Sequence, residues 1–129
     1  MAIIIAYDGM KNTKKALEYA IEHSKVYKEK LYIFSVITSK DMLDKEKELL
    51  HVKEYLEDAE KIAISKGADA EILLESSTPA KGILEAAERF GVKTIVVGRS
   101  DKTAFDRAVL GSVSEYVVRN AKCTVIVVQ

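Results

Sequence analysis

"KTIVVGRSDKTAFDRAVLGSVSEYVVRNAKCTVIVVQ", residues 93–129, carries the fold of this chain in miniature. The run "TIVVG" at 94–98 is β-branched and lacks apolar–polar alternation, the pattern of a strand covered on both faces. From Ser112 to Asn120 the period changes to that of a helix carrying Val113, Tyr116 and Val117. "TVIVV" at 124–128 then returns to a buried-strand pattern. Strand, loop, helix, strand is the unit of a parallel sheet, since parallel neighbours need a crossover.

Upstream the same alternation repeats. Strand runs lie at 2–7 ("AIIIAY"), 31–36 ("LYIFSV") and 70–75 ("AEILLE"), the last mixed enough to belong at a sheet edge. Ala16, Leu17, Ala20, Ile21, Ser24 and Tyr27 mark one face of a first helix. Leu49, Val52, Leu56, Ala59 and Ala63 mark a longer second helix, closed near Gly67. Thr78-Pro79 reads as an N-cap and first-turn pair, with Ile83, Leu84, Ala87 and Phe90 facing inward and Gly91 as the stop. The pattern predicts a single α/β domain over 1–129. It is a three-layer sandwich of four helices on a five-stranded parallel sheet of order 3-2-1-4-5.

The composition narrows the function classes. Of 129 residues, 48% are hydrophobic and 31% charged, enough apolar material for a core without metals or disulfides. Twenty basic residues balance twenty acidic ones, so no global field draws the chain to nucleic acid or an anionic membrane. The apolar N-terminus reaches Asp8 too soon for a signal peptide or a membrane span. The single cysteine, Cys123, excludes an internal disulfide framework and fits a reducing cytoplasm. His23 and His51 fall within helical patterns and make no metal-ligand spacing with it.

In a 3-2-1-4-5 sheet the switch point lies between strands 1 and 4, and ligands sit outside the carboxyl ends of strands there. Asp8 closes the first strand and Gly98 the fourth, so the topology brings them together. Gly98 is expected to let the chain leave its strand with unusual backbone geometry and to admit a ligand closely. Gly111 and Ser112 sit at the mouth of the last helix, whose free N–H groups and dipole suit an anion. The Ser112 hydroxyl either caps that helix or meets a phosphate oxygen. Lys102, Thr103, Arg99 and Arg107 add charge and donors in the intervening loop. Asp8 itself either contacts the ligand or stabilises the first strand-to-helix loop.

These motifs resemble the universal stress protein family along essentially the whole chain. "AYDGMKNTKKALEYAI" is similar to its opening, "STPAKGILEAAERFGVKTIVVGRS" to its middle and "LGSVSEYVVRNAKCTVIVV" to its end. The resemblance implies an adenine nucleotide alpha hydrolase-like fold. It also implies a cytoplasmic stress-response regulator binding ATP or another adenine nucleotide. Asp8 would lie by the ribose or adenine, and the main chain at Val36 would read the adenine edge. Gly98, Arg99, Lys102 and Thr103 would attend the phosphates, with Gly111, Ser112 and Val113 at the helix start. Many members form homodimers through the last strand, and "CTVIVVQ" is compatible with such pairing.

One residue departs from the pattern. ATP-binding members carry G-x2-G-x9-G-[S/T], and here Asp101 stands where the second glycine belongs. A carboxylate about 5 Å from a phosphate charge, at an effective dielectric of about 20, costs roughly 3 kcal/mol. That is on the order of a hundredfold in affinity. Lys102 can neutralise it, and a bound Mg²⁺ or Mn²⁺ would turn Asp101 into an oxygen ligand. The rival reading is therefore a nucleotide-free dimeric interaction module whose ligand is a partner protein. No general base stands beside an attacking water, so ATP hydrolysis is at most slow and no catalytic residue is assigned. A phospho-receiver domain lacks its acceptor in "ESSTP", a flavodoxin its hydroxyl-rich first loop, and a P-loop enzyme the glycine before the lysine of "DKT".

Overall fold

The computed structural model describes residues 1–99 and 111–129. The elements run β1 (Ala2–Ala6), α1 (Lys11–Tyr27), β2 (Lys30–Ile37), α2 (Met42–Ser65), β3 (Ala70–Ser76), α3 (Pro79–Arg89), β4 (Thr94–Gly98), α4 (Ser112–Asn120) and β5 (Thr124–Val128). The strands form one sheet of order β3-β2-β1-β4-β5, parallel throughout. This is the predicted architecture, with β3 and β5 at the two edges.

Strand alternation sorts the core into two layers. Ile3, Ile5, Leu31 and Ile33 face α1 and α2, meeting Leu17, Ile21, Val52 and Leu56. Ala2, Ile4, Phe34, Val36, Ile95 and Val97 face the other way, toward Ile83 and Ala86 of α3 and Val117 of α4. The isoleucines of β1 are fully buried, each contributing about 1.5–3 kcal/mol of burial free energy. Because β1 is central and covered on both sides, its "III" run needs no polar alternation.

Several residues expected to face inward do not. Leu49 is 41% exposed, in the first two turns of α2, where only Glu48 is partly covered. Phe90 is 38% exposed and lies over Tyr32 with ring centroids 5.0 Å apart, the Arg89 guanidinium 5.3 Å from its ring. Tyr27 and Tyr116 are also exposed, Tyr27 ending α1 against the His23 ring at 4.6 Å. Helical periodicity identifies a face, but not how much of that face the neighbouring elements cover.

The strand lengths create a crevice. Pairing of β1 with β2 ends at Ala6↔Phe34, extended only by the Tyr7 N–H donating to the Phe34 carbonyl at 2.8 Å. β2 continues beside β3 as far as Ile37↔Ser76. On the other side β1 and β4 pair only as far as Ile5↔Val96, while β4 follows β5 to Gly98↔Val128. The central strand stops short and its neighbours run past it, leaving a notch above its carboxyl end.

Candidate functional site

That notch opens into a cleft of about 600 Å³. Of the residues singled out in the sequence, Asp8, Val36, Gly98, Arg99, Gly111, Ser112 and Val113 all line it. Lys102, Thr103, Asp101 and Arg107 lie outside the described residues.

Asp8 has a definite local task. Its Oδ1 accepts the Met10 N–H at 2.8 Å and the Thr13 hydroxyl at 2.5 Å, while its own N–H donates back to Thr13 Oγ1 at 3.3 Å. The N-cap of α1 is Met10, without a side-chain cap bond, so Asp8 braces the loop before the helix instead of capping it. Asp8 Oδ2 has no partner among the described residues.

Gly98 corrects the expectation of unusual backbone geometry. The described glycines with positive φ are Gly9, Gly67 and Gly91, and Gly98 is not among them. A Cβ on Gly98 would lie 3.0 Å from the Asn12 carbonyl oxygen, so the missing side chain lets α1 start directly against the end of β4. Gly9 is the residue whose conformation demands glycine: its φ is +79°, and a Cβ there would meet the Tyr55 ring at 3.1 Å.

Ser112 is not a cap. Gly111 is the N-cap of α4, and the Ser114 hydroxyl donates to its carbonyl at 3.0 Å. The exposed Ser112 hydroxyl has no partner among the described residues, which leaves it and the first-turn amides of α4 open to the cleft. Arg99 is anchored toward the C-terminus. Its N–H donates to the Val128 carbonyl at 2.9 Å and its Nη1 to Gln129 Oε1 at 2.6 Å.

Val36 contributes backbone. The Ile37 carbonyl accepts from Ser77 on the β3 side, and the Phe34 carbonyl accepts from Tyr7 on the β1 side. Alternation along a parallel strand therefore turns the Val36 N–H and C=O toward β1, which has already ended. A donor and an acceptor stand side by side over the notch.

The wall from α2 escaped the sequence reading. Glu48, His51 and Tyr55 recur at spacings of three and four, beside the apolar row of Val52 and Leu56, and all three line the cleft. Glu48 accepts from the Thr38 N–H (2.8 Å), the Ser39 N–H (2.9 Å) and the Thr38 hydroxyl (3.2 Å). Donation from the Ser39 N–H, joined by Thr38, holds the Glu48 carboxyl below its usual range against the opposing effect of burial. Tyr55 shares a short hydrogen bond with the Ser35 hydroxyl and meets the Tyr7 ring edge-on at 5.7 Å. Burial pushes the Tyr55 phenol up, the Ser35 bond opposes this, and the Asp8 charge adds to the rise. Burial raises Tyr7 first and Asp8 second. Among the described residues, no group of three or more His, Cys, Asp or Glu could hold a metal.

Comparison with known proteins bears on this geometry. The profile of the universal stress protein family matches residues 1–129. The chain belongs to the universal stress protein family. A universal stress protein of Methanocaldococcus jannaschii is 31% identical over 137 residues, spanning 98% of this chain and 81% of that protein. The solved universal stress protein of Archaeoglobus fulgidus superposes with a TM-score of 0.89 at 23% identity, covering 100% of this chain and 98% of the other. An Archaeoglobus fulgidus universal stress protein solved in complex with dAMP gives a TM-score of 0.83 at 24% identity, covering 100% and 98%. The α/β fold is thus that of universal stress proteins, and no described helix is long and apolar enough to cross a membrane.

Proposed function

We propose that this universal stress protein is a stress-response regulator that binds an adenine nucleotide in the notch above β1. The observation that carries the reading is the Val36 backbone, which offers a donor and an acceptor side by side where the central strand has ended. The amino and ring-nitrogen edge of adenine presents the complementary pair. Asp8 Oδ2 is available to a sugar hydroxyl, and the Ser112 hydroxyl with the α4 amides suits phosphate. Lys102 and Thr103 complete the phosphate end in this reading, and Mg²⁺ or Mn²⁺, if used, would draw on Asp101. Structural relatives solved with dAMP, cAMP and AMP lend support.

The cytoplasm is the proposed location, in keeping with Cys123, an unpaired thiol whose pKa burial raises. A homodimer through β5 belongs to the same proposal, since that edge strand carries partly exposed Val125, Ile126, Val127 and Val128. Sedimentation should then give twice the 14.3 kDa chain mass.

Titration calorimetry with AMP, ADP and ATP, with and without Mg²⁺, tests the site. Saturable heat with each nucleotide is expected. Silence at millimolar ATP with Mg²⁺ would overturn the reading and leave the interaction module with a protein partner. Asp101→Gly should raise ATP affinity by up to about a hundredfold and AMP affinity less, because repulsion scales with phosphate charge.

A further inference from the structure

His51 stands out from the rest of the cleft wall. Its side chain is exposed on α2, it lines the cleft, and neither ring nitrogen has a hydrogen-bond partner among the described residues. Its one described ring contact is edge-to-face with Tyr55, at 5.5 Å between centroids and 79° between planes. That contact seats the ring beside Tyr55, and neither nitrogen makes a hydrogen bond to a described residue.

Two cross-ties place it along β2. One turn before it, Glu48 is bound to Thr38 and Ser39 at the strand's end. One turn after it, Tyr55 is bound to Ser35. Helix α2 therefore runs antiparallel to β2, and His51 falls between those ties, at the level of Val36 and Ile37. The open backbone pair of Val36 lies at that same level. The phosphate end, by contrast, is built on β4 and α4, on the far side of β1.

We propose that His51 is a specificity-determining residue of this cleft that hydrogen-bonds, through an unoccupied ring nitrogen, to the base held at Val36. The inference rests on the adenine-nucleotide reading and adds a side-chain contact to what the backbone recognises. A backbone pair alone reads one edge of a purine. An imidazole on the α2 side reads a second position and makes the site sensitive to substitution there.

Titration of AMP, ADP and ATP into the wild type, His51→Ala, His51→Gln and His51→Phe tests this, with thermal melts as the folding control. His51→Ala should weaken all three nucleotides by the same factor, about fivefold, the worth of one net hydrogen bond. His51→Gln, which keeps a donor and an acceptor, should recover most of the loss, and His51→Phe should not. Melting midpoints should stay within about 2 °C, since the residue is exposed. A loss that grows from AMP to ATP would place His51 at the phosphates and overturn the proposal. So would unchanged binding in His51→Ala, or recovery by Phe and not Gln. Absence of binding in the wild type would instead overturn the nucleotide reading itself, and the proposal with it.

Discussion

The two flanks of the notch are built from different materials. On the β2 flank side chains frame the open Val36 backbone: Tyr55 on Ser35, Glu48 on Thr38 and Ser39, and His51 between them. On the β4 flank the described wall is mostly backbone: Gly98 against the Asn12 carbonyl, Gly111, and the first amides of α4. Side chains carry shape and hydrogen-bond pattern, so the β2 flank suits recognition of a base. Amides at a helix start carry partial positive charge without a base code, so the β4 flank suits an anion. Asp8 stands at the junction, bracing the loop with one carboxylate oxygen and leaving the other without a partner among the described residues.

The contrast can be broken most severely at Gly98. Gly98→Val places branched carbons where even a Cβ would come within 3.0 Å of the Asn12 carbonyl, and backbone has little room to yield. A loss of about 3 kcal/mol in urea unfolding is expected, together with loss of nucleotide binding. An unfolding curve like the wild type's would show that the close start of α1 is not required.

Tyr55→Phe probes the opposite flank more gently. The ring stays against Gly9 and Tyr7, but Ser35 loses its hydrogen-bond partner. A cost of about 1 kcal/mol, or about 4 °C in melting midpoint, is expected. Affinities for AMP and ATP should shift by the same factor; a larger loss for ATP would contradict the division between flanks.

The smallest effect concerns Glu48. Its carboxyl is held below the ordinary glutamate range, so its contribution to stability is present above that range and lost as pH falls through the lowered value. Glu48→Gln should melt a little below the wild type at pH 7, and the gap should close in acid, as pH falls through the lowered value. A gap that persists in acid would assign the stabilisation to hydrogen-bond geometry and not to charge.

Most of the fold was legible because period alone separates buried strands from amphipathic helices. "TIVVG", "AIIIA" and "TVIVV" lie where their patterns predict, and the mixed "AEILLE" is an edge strand. The misreadings share one cause. Leu49, Phe90, Tyr27 and Tyr116 satisfy helical periodicity yet are exposed, and periodicity contains no information about how much of a helix face its neighbours cover. Of the two reasons given for Gly98, unusual backbone geometry is overturned: glycine's backbone freedom is visible in sequence, whereas close approach to Asn12 is a tertiary contact. The α2 wall was missed because polar residues on an exposed helix face resemble any solvated surface.

By itself, the sequence determined the strand–helix alternation, the parallel sheet it requires and the meeting of Asp8 with Gly98, because periodicity and crossover handedness are local or topological rules. Tertiary structure alone decided which groups face the notch. The early end of β1 turns the Val36 backbone outward, and the antiparallel seat of α2 on β2 brings Glu48, His51 and Tyr55 to its rim. Those outcomes depend on relative strand lengths and helix register across the core, which no single segment encodes.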